Sequence, residues 1–283
     1  MTNTVISKDG TKIGYRQMGK GPGLILVPGG MMASQNFVSL AQHLANDFTV
    51  YVPDRRGRGL SDLNGSHFGL STEADDMRAI ISKTGAQYIF GLSSGAIIAL
   101  QIAIQDPSLK KVAIYEPPIP LKGAGSTAWM DKFKSALAGE NYGKAFIAIV
   151  KGTDDPGSFF NKLPDFITGP IMNRAIRADE KKIRKEGEMS LKALISTMPY
   201  DIQIVKESNG IIDECRNLKA KVLLLGGHKS QQYLTQTLDA LKAVLPQSKR
   251  IEFRKLGHTA ADNDGRPELV ANELRSFFGT SNG

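Results

Sequence analysis

Gln87-Tyr88-Ile89-Phe90-Gly91-Leu92-Ser93-Ser94-Gly95-Ala96-Ile97-Ile98-Ala99-Leu100 is the stretch that decides how this chain reads. Tyr88 to Phe90 is a short apolar run of β character, and Ala96 to Ile104 has the pattern of a buried helix. Between them Gly91-x-Ser93-x-Gly95 turns the chain. A strand that becomes a helix over so few residues turns sharply, and its central residue is pushed into a strained backbone conformation. Glycines two positions before and after relieve the crowding. The serine hydroxyl then projects from the strand end beside the N–H groups of the helix start, where an oxyanion would be stabilised. Gly-x-Ser-x-Gly is common by chance, so its weight depends on partners elsewhere.

Outward from that turn, strands and helices alternate. Thr4 to Ser7 and Lys12 to Met18 read as strands joined at Lys8-Asp9-Gly10, a hairpin signal. Leu24 to Val27 is a continuous apolar run, the mark of a buried parallel strand, and ends in Pro28-Gly29-Gly30. Ser34 to Ala45 has helix spacing with Ser34 as its cap. A strand at Thr49 to Val52 leads into Asp54-Arg55-Arg56-Gly57-Arg58-Gly59-Leu60-Ser61. A helix capped by Ser71 or Thr72 runs to Thr84, and Lys111 to Tyr115 is a strand ending at Glu116-Pro117-Pro118. This alternation predicts an α/β fold with a mostly parallel sheet covered on both faces.

From residue 119 to 218 no convincing strand occurs. Helical patterns cover 128–137, 142–150, 165–185 and 191–207, punctuated by Pro156, Pro164, Pro170 and Pro199. Alternation resumes with a strand at Lys221 to Leu225, a helix at Ser230 to Leu245, a strand at Arg250 to Leu256 ending in Gly257-His258, and a helix at Pro267 to Phe278. The expected division is a core of residues 1–118 and 219–283 with a helical cap inserted at 119–218.

Composition narrows the class. The chain has 283 residues, 41% hydrophobic and 23% charged, with net charge +8, an ordinary globular balance. The densest basic run, Lys181-Lys182-Ile183-Arg184-Lys185, is interleaved with acids and reads as an exposed helix face with i,i+4 pairs. No nucleic-acid motif accompanies it, so no nucleic-acid partner is expected. A single cysteine, Cys215, excludes an intrachain disulfide and lies in a polar segment without the setting of a nucleophile. No apolar run approaches the ~20 residues that span a membrane, and the N-terminus lacks signal-peptide blocks. A cytoplasmic, soluble monomer or homodimer is the expectation.

A serine nucleophile needs a base and an orienting carboxylate. Of the four histidines, His43 lies in a helix pattern and His67 in a polar loop. His228 and His258 both follow strands of the parallel sheet, on the edge where ligands bind. His258 is preferred because it ends the last strand behind a glycine.

These features together resemble the α/β-hydrolase superfamily. Gly91-Leu92-Ser93-Ser94-Gly95 resembles its nucleophile elbow, and His258 its base. Pro28-Gly29-Gly30 stands where that family places a His-Gly-x oxyanion segment. Asp54 to Ser61 is similar to its Asp-x-Arg-Gly-x-Gly-x-Ser turn, which there supports the architecture and carries no catalysis. The resemblance implies oxyanion donors at the backbone N–H groups of Gly30 and Ser94. Because Ser94→Ala keeps its N–H, that substitution is expected to be mild.

The family pattern breaks at the acid. The loop where the acid usually follows the next-to-last strand reads Gly226-Gly227-His228-Lys229-Ser230, without Asp or Glu, and Asp239 lies too deep in the next helix. Glu116, one strand earlier, occupies the position used by some haloalkane dehalogenases and by zearalenone-type lactonases. It is therefore the expected triad acid, in the order Ser…Glu…His.

Ser93 implies acyl transfer through an acyl-enzyme, and argues against dehalogenases and epoxide hydrolases, which use an aspartate at the elbow. No metal-ligand cluster or nucleotide motif occurs, so no cofactor is expected. The cap carries Trp129, Met130, Phe133, Phe146, Phe159, Phe160, Phe166 and Met172. Met31, Met32, Trp129 and Phe133 are the expected pocket residues for a small or medium, partly apolar ester or lactone. Two alternatives remain: a carbon–carbon bond hydrolase or cofactor-free haloperoxidase-like enzyme on the same triad, and a non-catalytic ligand receptor on this fold.

Overall fold

β1 (Thr2–Ile6), β2 (Lys12–Met18), β3 (Gly23–Val27), β4 (Thr49–Pro53), β5 (Tyr88–Leu92), β6 (Lys111–Tyr115), β7 (Lys221–Gly227) and β8 (Lys249–Phe253) form one sheet, in the order β1-β2-β4-β3-β5-β6-β7-β8. The computed structural model describes residues 1–63, 68–121, 128–153 and 162–279. His67, Pro156, Phe159 and Phe160 lie outside the described residues. The β1–β2 and β2–β4 pairings are antiparallel, and every other pairing is parallel. The central strands are apolar without alternation because both faces are covered, as in Leu24–Val27 and Val112–Tyr115, all buried.

The two faces have separate cores. On one, α2 (Leu70–Thr84) and α3 (Ser94–Gln105) bury Met77, Ile80, Ile97 and Leu100 against Ile25, Ile89 and Val112. On the other, α1 (Val38–Leu44) and the C-terminal helix (Pro267–Gly279) pack Leu40, Leu44, Leu274 and Phe278 against Leu24, Phe90 and Leu223. The predicted cap at Ser34 is not used: Ser34–Phe37 is a 3-10 turn ahead of α1, and the Ser34 hydroxyl instead accepts from Arg16 Nε at 2.7 Å.

Between β6 and β7 the described chain is helical: α4 (Ala128–Ala138), α5 (Tyr142–Thr153), α6 (Asp165–Glu180), α7 (Leu191–Ser196), α8 (Met198–Glu207) and the short α9 (Ile211–Glu214). These helices have their own apolar cluster, centred on Phe133, Ala145, Ile149, Ile195 and Ile202. Ile204, Ile211 and Cys215, further along, pack instead against the α2–α3 face of the sheet. One expectation holds and one is corrected here. The helical pattern over 191–207 is interrupted near Pro199 as read: it breaks at Thr197, and Pro199 falls in the first turn of α8, where the missing N–H costs nothing, whereas Pro170 lies inside α6. The basic run 181–185 lies beyond the end of α6, so it is no helix face. Arg184 folds back onto Asp179 at 2.7 Å, and Asp179 also accepts the Leu191 N–H.

Among the described residues no helix is long and apolar enough to cross a membrane.

Candidate active site

Ser93 stands between β5 and α3 with φ 57 and ψ −124, and its N–H donates to Tyr115 O of β6 at 2.9 Å. The flanking glycines are sterically required. A Cβ on Gly91 would lie 2.3 Å from Gly95 O, and one on Gly95 would lie 2.4 Å from Val27 O. Gly29 is less crowded, with its would-be Cβ 3.1 Å from Ser93 Cβ. Among the described residues four non-glycine residues have positive φ, and three of them, Met31, Ser93 and Glu116, lie at this edge of the sheet. Such strain persists only where surrounding contacts over-determine it, and it concentrates at functional sites.

Glu116 follows β6 directly. Its φ of 44 turns the carboxylate toward β7, and its side chain is 1% exposed. Oε1 accepts the Gly227 N–H at 2.6 Å, and Oε2 meets His258 Nδ1 at 2.8 Å. Gly226 leaves room for this, since a Cβ there would sit 3.2 Å from Glu116 Oε1. The loop carrying His258 is tied down by Tyr115, whose hydroxyl donates to Gly257 O at 2.9 Å. Burial and the Glu116 charge both push the Tyr115 phenol up, so it remains a donor. Glu116 and His258 are thus in contact, while no direct hydrogen bond joins His258 to Ser93; such bonds commonly tighten only when substrate is present. His228 is 74% exposed and meets Glu252 Oε1. Asp239 pairs with Arg250 at the surface. Cys215 is buried, and that burial pushes its thiol up to about 12.

The N–H groups of Gly30 and Ser94 find no protein acceptor among the described residues. Ser94 opens α3, so its N–H carries the positive end of the helix dipole. Asp201 of α8 lies between these two residues. It accepts from the Ser94 hydroxyl at 2.7 Å, and a Cβ on Gly30 would lie 3.3 Å from its Cγ. Arg55 and Arg58 flank the same carboxylate at 2.7 and 2.6 Å, with Glu73 balancing Arg55 at 2.8 Å. Two buried cations therefore meet two buried anions, as buried charge requires. Burial alone would raise the Asp201 carboxyl, but the charges of Arg58 and Arg55 hold it below the ordinary value. The guanidiniums also bond the loop at residues 28–32: Arg55 Nη1 donates to Pro28 O and Gly29 O, and Arg58 Nη1 to Gly29 O and Met32 O.

The turn from Asp54 to Ser61 thus braces the loop at residues 28–32 through Arg55 and Arg58. Sequence reading missed Asp201. Its one signal is an acid among the apolar residues Met198, Ile202 and Val205 of α8, a pattern shared by many surface helices.

The cavity over Ser93 is about 100 Å³. Gly30, Ser93, Ser94, Trp129 and Met130 line it, joined by Pro118, Ile119, Met198, Ile202, Val205 and Tyr233, which sequence reading did not assign to the pocket. Met31, Met32 and Phe133 do not line it. Met32 packs into the α1 face of the sheet, Phe133 is enclosed in the α4–α8 cluster, and Met31 lies against that cluster from outside. Phe146 and Met172 pack there too, while Phe166 is 74% exposed. Among the described residues no group of three or more His, Cys, Asp or Glu is placed to hold a metal ion.

Residues 24–273 match the model of the Alpha/beta hydrolase family, and the chain belongs to that family. The Uncharacterized hydrolase YraK of Bacillus subtilis is 36% identical over 126 residues, covering 43% of this chain and 46% of that protein. N-formylmaleamate deformylase of Pseudomonas putida is 35% identical over 135 residues, covering 45% of this chain and 48% of that protein. The chain spans about half the length of the curated relatives it matches. An alpha/beta hydrolase of solved structure from Sphaerobacter thermophilus superposes with TM-score 0.76 at 25% identity, over 98% of this chain and 100% of that one.

Proposed function

We propose that this protein is a serine hydrolase cleaving a small, partly apolar carboxylic ester or lactone through an acyl-enzyme. The observation that carries this reading is the Glu116–His258 contact at 2.8 Å beside the strained Ser93 elbow. Glu116 accepts a hydrogen bond from His258 Nδ1–H, which leaves Nε2 unprotonated. That nitrogen takes the Ser93 proton as Oγ attacks the acyl carbon, then returns it to the leaving alcohol. Water activated the same way releases the acid. The oxyanion is met by the N–H groups of Gly30 and Ser94, each contributing about 3–4 kcal/mol to the transition state.

Residues 119–218 act as the cap that sets substrate choice. The cavity is smaller than the roughly 150 Å³ that admits benzene, so larger substrates require these helices to move. The likeness to N-formylmaleamate deformylase makes a formamide a second candidate for the same machinery. With its one thiol buried, the fold has no need of an oxidising compartment, and a cytoplasmic monomer or homodimer without cofactor is the setting we adopt.

The test is a panel of nitrophenyl esters, lactones and formamides with wild type and Ser93→Ala, with mass spectrometry of the quenched reaction. The expected results are an acyl adduct on Ser93 and a loss of about 10⁴-fold or more in the variant. Full turnover by Ser93→Ala overturns the proposal.

A further inference from the structure

Most polar side chains lining the cavity are already engaged. Both carboxylate oxygens of Asp201 are taken by arginines, Ser94 is bonded to Asp201 and Arg55, and the Thr153 hydroxyl donates to Ile149 O at 2.9 Å. Three lining groups have no protein hydrogen-bond partner for their side chains among the described residues: Ser93, the Trp129 indole and the Tyr233 phenol. Tyr233 enters the cavity from the first turn of α10 (Gln232–Val244), just after the acid-free loop that follows β7. It is half-buried, and its hydroxyl stays protonated because burial, reinforced by the Glu116 charge, pushes it well above its usual range. A phenol held this way in an apolar wall presents to the cavity an O–H donor that no protein group among the described residues takes up.

The charge of the cavity points the same way. No Lys, Arg or His lines it among the described residues, and the Asp201 charge is neutralised from the side away from the cavity by Arg55 and Arg58. A carboxylate entering here would lose its hydration without gaining a cation.

We propose that the cavity selects an electrically neutral acyl group bearing a hydrogen-bond-accepting oxygen, such as a ketone, that receives the Tyr233 O–H, and that it rejects esters whose acyl group carries a carboxylate. This rests on the hydrolase reading of the same site and adds its substrate class.

Three esters of matched length separate the outcomes: methyl 4-oxopentanoate, methyl pentanoate and monomethyl succinate. Trp129 is the sole tryptophan and lines the cavity, so its fluorescence reports occupancy without turnover. In Ser93→Ala protein, the oxo ester is expected to bind about five- to tenfold more tightly than the pentanoate. Monomethyl succinate is expected to bind at least ~30-fold more weakly than the oxo ester. Adding Tyr233→Phe, which breaks no hydrogen bond within the protein, should bring the oxo and pentanoate affinities within about twofold. The proposal is overturned if monomethyl succinate binds as well as the oxo ester, if the oxo preference survives Tyr233→Phe, or if none of the three binds. Wild-type turnover of the same esters is scored separately. Selective binding without turnover would remove the hydrolase reading and leave this one standing, whereas turnover without selectivity would do the reverse.

Discussion

The Ser94 hydroxyl donates to Asp201 Oδ1 at 2.7 Å, and this bond ties α8 to the first residue of α3. Through Arg55 and Arg58 the same carboxylate reaches the carbonyls of residues 28–32. Removing it leaves the buried Arg58 guanidinium without a carboxylate partner and takes one of two from Arg55, which keeps Glu73. Asp201→Ala is therefore expected to destabilise the fold by about 3–5 kcal/mol in urea titration. Ser94→Ala, expected on sequence grounds to be mild because it keeps its N–H, removes a donor and an acceptor from this network and should cost about 1–2 kcal/mol in stability.

Glu116→Gln tests the triad acid through a tautomer. Oε1 must accept the Gly227 N–H, so the substituted amide is held with its oxygen there and its NH₂ toward His258 Nδ1. That NH₂ donates, Nδ1 must accept, and the ring proton moves to Nε2, which can then no longer take the Ser93 proton. A fall in kcat of about 10⁴-fold is expected, with little change in KM. Near-normal kcat would remove Glu116 from the mechanism.

Ser93 exchanges stability for position. Its φ of 57 is strained for a side-chain-bearing residue. Ser93→Gly should raise unfolding free energy by about 1 kcal/mol while abolishing hydrolysis, since relief of strain exceeds the entropy glycine loses on folding. Ser93→Ala keeps the strain and should show no such gain. Gly95→Ala should be destabilised by at least ~1–3 kcal/mol, because its new methyl meets backbone rather than a flexible side chain.

Asp262 predicts a pH dependence of stability. Burial, with the neighbouring Asp264 charge acting in the same direction, pushes its carboxyl up to about 6. The folded state therefore holds this proton more tightly than the unfolded chain, and stability from it is complete below about pH 4 and lost as pH rises through about 6. Asp262→Asn should be more stable than wild type by about 3 kcal/mol at pH 8 and equal to it below pH 4, read from denaturant midpoints.

Cys215 should react with thiol reagents at pH 8 only as fast as the protein unfolds, because its thiol is both enclosed and shifted up to about 12. Rapid labelling of the native protein would show that α9 and the 3-10 turn after it open locally.

Strand and helix alternation, the elbow glycines and the order Ser93, Glu116, His258 were legible in the chain because each is written locally. Apolar runs mark strands buried on both faces, and Gly91 and Gly95 are needed by a turn only five residues long. The parallel strands then place their C-terminal ends on one edge, so Glu116 could be matched to His258 once the loop after β7 offered no acid and the family resemblance pointed to the strand before it. What lies above that edge was not legible. Asp201 meets Arg55 across 146 positions and Ser94 across 107, and Tyr233 joins the cavity from a helix whose sequence differs little from any amphipathic surface helix. Met32 and Phe133 look like pocket residues by composition, yet each had a drier place to go, in the sheet core and in the helical cluster. Local sequence determined the elbow because a strained turn constrains its own residues. Which side chains close over Ser93 was decided only in three dimensions, by how the inserted helices dock on the sheet and which buried charges they must neutralise.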